Sequence, residues 1–134
     1  LNLSMTTLSN SILNMNNKTL IENIILTTAP TVANRNIDHE IEVITAECVF
    51  GMNIFRDLFA GFRDVFGGRS QASQKVLRDS RKTCLDELKM EAAEVGADAI
   101  IGIDLDYQEF SGKGKGMLFL VASGTAVKLK PESE

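Results

Sequence analysis

The sequence predicts an α+β domain: a small antiparallel sheet packed on two helices. Three observations carry that expectation. Apolar side chains recur at helical spacing in two stretches, residues 55–66 and 71–95. β-rich runs flank them, and the last two runs, joined by a glycine-rich loop, read as an antiparallel hairpin. At 134 residues the chain fits one domain with enough length to bury a core.

Leu1–Lys18 is rich in Asn, Ser and Thr, which favour caps and turns over a packed element. It is expected to be an N-terminal appendage, poorly ordered or weakly docked, ahead of a single domain at 19–134. It lacks the basic start and continuous apolar core of a secretory signal. Ile24–Thr28 reads as a short strand that stops at Pro30, and Val32–Asp38 as a loop. His39–Val49 reads as a second strand. Ile41, Val43 and Val49 take one side of it, and Glu42, Ile44, Ala46 and Cys48 the other.

The next stretch, FGMNIFRDLFAGFRDVFGGRS (Phe50–Ser70), holds five of the seven phenylalanines and spells Phe-Arg-Asp twice. On a helix, Phe55, Phe59, Phe62 and Phe66 fall within about 60° of one another. The repeat is therefore two turns of one amphipathic helix, ended by Gly67-Gly68. Each Arg is followed by an Asp, so the motif lacks the strongly basic face of a membrane-surface helix. The stripe reads as core or oligomer interface.

A second helix is expected over Gln71–Val95, capped by Ser70 or Ser73 and stopped by Gly96. Its apolar stripe is Leu77, Cys84, Leu88, Ala92 and Val95, with Lys75, Lys82, Asp86 and Lys89 toward solvent. In Ala97–Tyr107, strict alternation places Ile101, Ile103, Leu105 and Tyr107 on one face. Ile100, Gly102, Asp104 and Asp106 take the other.

The loop at Ser111–Gly116 leads to the final strand, where both faces are apolar. Met117, Phe119 and Val121 point one way, and Leu118, Leu120 and Ala122 the other. Two helices cover one side of a small sheet, and little chain remains for the second. A partner subunit is the economical cover, so the chain is expected to form a homo-oligomer. Phe55, Phe59, Phe62, Phe66, Leu118 and Leu120 are the candidate interface residues.

NIFRDLFAGFRDVFGGRS, then a charged helix ending in EVGADAIIGIDLDY, then MLFLVASGTAV, resembles the bacterial YbjQ-like family, which carries a heavy-metal-binding label. The resemblance runs from about Ile24 to Lys130. It implies a small α+β subunit assembling into a ring, a pentamer, with no established catalytic activity. Two features depart from the family pattern. Cys48 and Cys84 stand where small or apolar residues are expected, and Ala33–Asp38 looks longer and more polar than the usual short turn.

Composition narrows the function classes. A formal net charge of −4 and a pI near 5.0 argue against a nucleic-acid partner held by phosphate neutralisation. No apolar run approaches the roughly 18–20 residues that span a bilayer, so no membrane partner is expected and the location is read as cytoplasmic. Two cysteines outside a CxxC pair make no disulfide framework.

Gly67, Gly68, Arg69 and Ser70 join a helix end to a helix start, where backbone N–H groups, a hydroxyl and a guanidinium suit a small anion. A plain turn explains the same residues. Asp104 and Asp106, roughly 6.6–7 Å apart on one strand face, suit a shared cation or water-mediated pair. Facing water or pairing with arginines explains them equally.

Cys48, Cys84 and His39 lie far apart in sequence and lack the paired spacing of structural zinc ligands, so no metal ligand is assigned. The GKGKG run lacks the order of a phosphate loop. No residue is assigned a catalytic role, and no cofactor is expected. The leading expectation is a cytoplasmic, ring-forming, non-enzymatic module that binds a small ligand or partner, an anion or cation among the candidates, at intersubunit surfaces. A metal-binding protein is the alternative, and an enzyme using Arg69 with Asp104 or Asp106 a further one.

Overall fold

The computed structural model describes residues 2–51, 71–112 and 115–132. Phe55, Phe59, Phe62 and Phe66, and the Gly67–Ser70 turn, lie outside the described residues. In chain order the elements are α1 (Asn2–Glu22), β1 (Ile25–Leu26), β2 (Ile37–Phe50), α2 (Gln71–Glu94), β3 (Ala99–Gly112) and β4 (Lys115–Leu129). The fold is α+β: α2 packs on one face of a four-stranded sheet of order β1-β3-β4-β2.

The sheet is mixed, which corrects the antiparallel expectation. β4 pairs antiparallel with β2 and with β3, but β1 pairs parallel with β3 through Ile25 and Leu26. The chain between β1 and β3 includes α2, and a parallel pair requires such a crossover.

α1 is a second correction, because Asn2–Glu22 is helical rather than a run of caps and turns. The stretch contains neither glycine nor proline, the two strongest helix breakers. Its docking is slight. Leu8, Ile12, Leu13, Met15 and Leu20 are all exposed, while Ile24, just beyond its end, is buried. Despite its length, no described helix is apolar enough to cross a membrane.

α2 buries the row Val76, Ser80, Cys84, Leu88 and Ala92 against the sheet. These residues are four apart, one side of the helix. The row starts at Val76, whereas the expected stripe started at Leu77, which is only half-buried. The polar Ser80 hid this register in the sequence. The helix stops as expected at Gly96, whose φ of 75° is left-handed. Gly96 N–H donates to Ala93 O at 3.1 Å and Ala97 N–H to Ala92 O at 3.0 Å, the paired bonds of a Schellman ending.

Under α2 lie Ile44, Ala46 and Cys48 of β2, Ile100 and Ile103 of β3, and Leu120, Ala122 and Ala126 of β4. Ile100 and Ile103 share this face because β3 carries a bulge. Ile101 pairs Thr125 and Asp104 pairs Ser123, so Gly102 and Ile103 together oppose Gly124. Gly102, at φ 59°, is the left-handed residue that such a bulge needs. The bulge reverses the alternation, and Ile101 and Ile103, expected on one face, stand on opposite faces.

A similar register shift between Glu40 and Glu42 leaves Ile41 against the α2-side core rather than beside Val43. On the other face a smaller cluster forms where Val32, from the β1–β2 loop, covers Ala99, Ile101, Val127 and Leu129. Asp98 ties this end together: its carboxylate accepts from Leu129 N–H at 2.9 Å and from Lys128 Nζ at 3.2 Å.

Candidate functional site

Among the described residues the sheet face away from α2 is covered at one end only. Beyond the Val32 cluster it carries Val43 and Val49 on β2, which are 73% and 52% exposed, and Met117 on β4, which is 42% exposed. Phe119 and Val121 are half-buried beside them. Cross-strand pairing of Val49 with Phe119 and of Val43 with Thr125 puts these residues on one surface. Leu118 and Leu120, the strand residues expected at a subunit interface, are instead fully buried within the chain. Leu120 packs with the buried row of α2 and Leu118 shares its face by alternation, so the open face of β4 is the one with Met117, Phe119 and Val121.

Asp104 and Asp106 do share a face, as expected, and it is this open one. They stand opposite Ser123 and Val121 and are exposed. Glu47 also pairs Val121, from the β2 side. On this face Thr45, Glu47, Ser123 and Thr125 separate Val43 from an apolar end formed by Val49, Phe119 and Met117, which Glu47 and Asp106 border on either side of Val121.

The two cysteines come together although 36 positions separate them in the sequence. β2 runs beneath α2, and the Cys84 thiol reaches Ala46 O at 3.4 Å and Leu120 O at 3.5 Å. The Cys48 thiol lies beside it. Burial first, then the neighbouring Cys84 thiol and the Glu87 carboxylate, push the Cys48 thiol from 9.0 up to about 12. Both are free, buried thiols, and a buried cysteine behaves as a small hydrophobe.

His39 does not join them. It sits toward the opposite end of β2, roughly 30 Å from Cys48 at about 3.3 Å per residue, and its Nδ1 lies 2.6 Å from Asp38 Oδ2. Among the described residues no three His, Cys, Asp or Glu side chains converge on a metal position.

Arg35 was not among the candidates. It stands in the β1–β2 loop, where Arg35 N–H donates to Val32 O at 3.2 Å across a turn with Asn34 at φ 61°. Asparagine tolerates that left-handed conformation better than most residues. The guanidinium reaches the C-terminal segment: Nη2 donates to Lys130 O at 3.1 Å and Nη1 to Glu132 Oε1 at 3.2 Å. Its Nε is buried with no partner among the described residues. One signal was available in the sequence, since Arg35 is the sole charged residue between Glu22 and Asp38.

Comparison with known proteins gives two findings. The family model YbjQ_1, described as "Putative heavy-metal-binding", matches residues 24–130. A crystal structure of a protein of unknown function from Pediococcus pentosaceus ATCC 25745, assigned to the DUF74 family, superposes with a TM-score of 0.57 at 17% identity. That alignment covers 80% of this chain and 98% of the other. At that identity the likeness speaks for the fold alone.

Proposed function

The chain belongs to the YbjQ_1 family, and from that membership we propose that it is a subunit of a closed homo-oligomeric ring, five-membered as the family resemblance implies. In this reading the ring is a non-enzymatic cytoplasmic module whose intersubunit surfaces bind a small ligand or partner. The observation that carries the proposal is the open sheet face, with Val43, Val49 and Met117 exposed on one surface. Val49, Phe119 and Met117 form its apolar end, and an exposed apolar patch on a small domain marks an interaction site. Glu47 and Asp106, on either side of Val121, border that apolar end with carboxylates, as the polar rim of an interface does.

A charge placed in that apolar end tests this. Val49→Asp should split the ring into folded monomers of 14.7 kDa with an unchanged far-ultraviolet circular dichroism spectrum. Retention of the wild-type mass would count against this face as the interface.

A second reading, metal binding, is favoured by the contact between Cys48 and Cys84 together with the family description. Two thiolates suit a soft, two-coordinate ion and fall short of the four ligands of structural zinc. Against it stands the raised pKa of Cys48, because the metal must displace a tightly held proton. Elemental analysis of tag-free protein separates the readings. About one heavy-metal ion per chain, lost in Cys84→Ala, favours metal binding; none favours the assembly module.

A further inference from the structure

We propose that α2 supplies a second contact of the ring, its acidic flank in one subunit set against its basic flank in the next; this rests on the ring proposed above. The flanks are the two rows that border the buried row of α2. The row just ahead of it holds Lys75, Asp79, Thr83, Glu87 and Glu91, all of them exposed. The row just after it holds Leu77, Arg81, Leu85, Lys89 and Ala93, with Arg81 exposed and the others half-buried. At about 100° per residue these rows stand on opposite sides of the helix. One flank therefore carries three carboxylates against one lysine, and the other carries two cations on an apolar strip.

Arg81, Glu87 and Glu91 have no opposite charge within reach on their own helix. The neighbours a helical side chain reaches are three and four positions away. For Arg81 these are Leu77, Arg78, Cys84 and Leu85, none of them acidic. For Glu87 and Glu91 they include each other and Glu94, and no cation. Like charges so spaced destabilise a helix, and anions gathered toward its C-terminal end oppose the dipole. Among the described residues no ion pair joins Arg81, Glu87, Lys89 or Glu91 to another group. An opposite charge from outside the subunit offsets that cost.

The partner is a second copy of this chain, because the complementary charges are its own. A two-fold axis through either flank presses it against itself, like charge on like charge. A two-fold axis along the outward row sets Arg78 and Lys82 against their own copies. A head-to-tail contact joins unlike flanks, and such contacts form a ring when the rotation closes. The flanks also face opposite edges of the sheet. The Glu87 carboxylate acts on Cys48 of β2, at one edge, while Ala93 borders a groove with Ile24 and Ile25 at the β1 edge.

Exchange of the charges in stages tests the contact, with the mass of the full chain followed by mass photometry on dilution below the micromolar range. The variants are Arg81→Glu with Lys89→Glu, Glu87→Lys with Glu91→Lys, and all four changes together. Circular dichroism checks that each folds. Either double variant brings like charges together and should raise the concentration at which the ring dissociates by about tenfold or more. The fourfold exchange restores unlike flanks and should return that concentration to within about threefold of wild type. In wild type, which needs no substitution, sodium chloride should raise the same concentration by screening the pairs. A ring indifferent to both double variants and to salt overturns this contact while leaving the ring itself standing. A fourfold exchange no better than the double variants overturns it as well. A wild type that is monomeric at every concentration overturns the ring, and this contact with it.

Discussion

Gly124 has no room for a methyl group. A Cβ there would stand 2.6 Å from Ile100 Cγ2, 3.1 Å from Ile101 O and 3.2 Å from Ile103 Cγ1. The close backbone oxygen cannot rotate away, so Gly124→Ala overpacks the core beneath α2. A loss of about 1–3 kcal/mol is expected in urea unfolding.

Cys48 makes a different prediction. Its folded pKa is raised from 9.0 to about 12, so between those values the unfolded chain releases a proton that the folded chain keeps. Its contribution is fully present below pH 9.0 and is lost as pH rises toward about 12. Other groups titrate in the same window, so the measure is the difference between wild type and Cys48→Ala. Wild type should lose stability more steeply with pH, and equal slopes would contradict the assigned burial of this thiol.

The bulge in β3 depends on Gly102 at φ 59°. A β-branched side chain there meets the left-handed penalty, so Gly102→Val should cost about 1–2 kcal/mol. The same bulge marks where sequence and structure part. Period-two patterning located β3 and β4 and assigned the faces of β4 correctly, because Leu118, Leu120 and Ala122 alternate without interruption. It failed on β3, since one inserted residue reverses every later side chain and leaves no mark but a glycine.

α2 was placed within a residue of its ends because Gly96 signals its stop. α1 was missed because the low helix propensity of Asn, Ser and Thr outweighed the lack of breakers. Candidate sites followed the same rule. Asp104 and Asp106 are neighbours along one strand and were legible. The meeting of Cys48 with Cys84, and of Arg35 with Glu132 97 positions away, depends on tertiary structure that no local pattern encodes.

Among the described residues one sheet face is covered by α2 and the other only near Val32, and the open remainder is what a second subunit would bury. Among the described residues α1 is the other conceivable cover, but its exposed Leu8, Ile12 and Leu13 show how little it buries. Deleting residues 1–18 should therefore leave the number of subunits in the assembly unchanged. If the deletion instead yields unfolded or monomeric protein, α1 belongs to the interface.

The most direct measurement is the absolute mass of the full chain by light scattering across the micromolar range. A closed ring predicts one value several times 14.7 kDa that does not change with concentration. A stable, folded species of 14.7 kDa throughout that range would contradict assembly through the open sheet face.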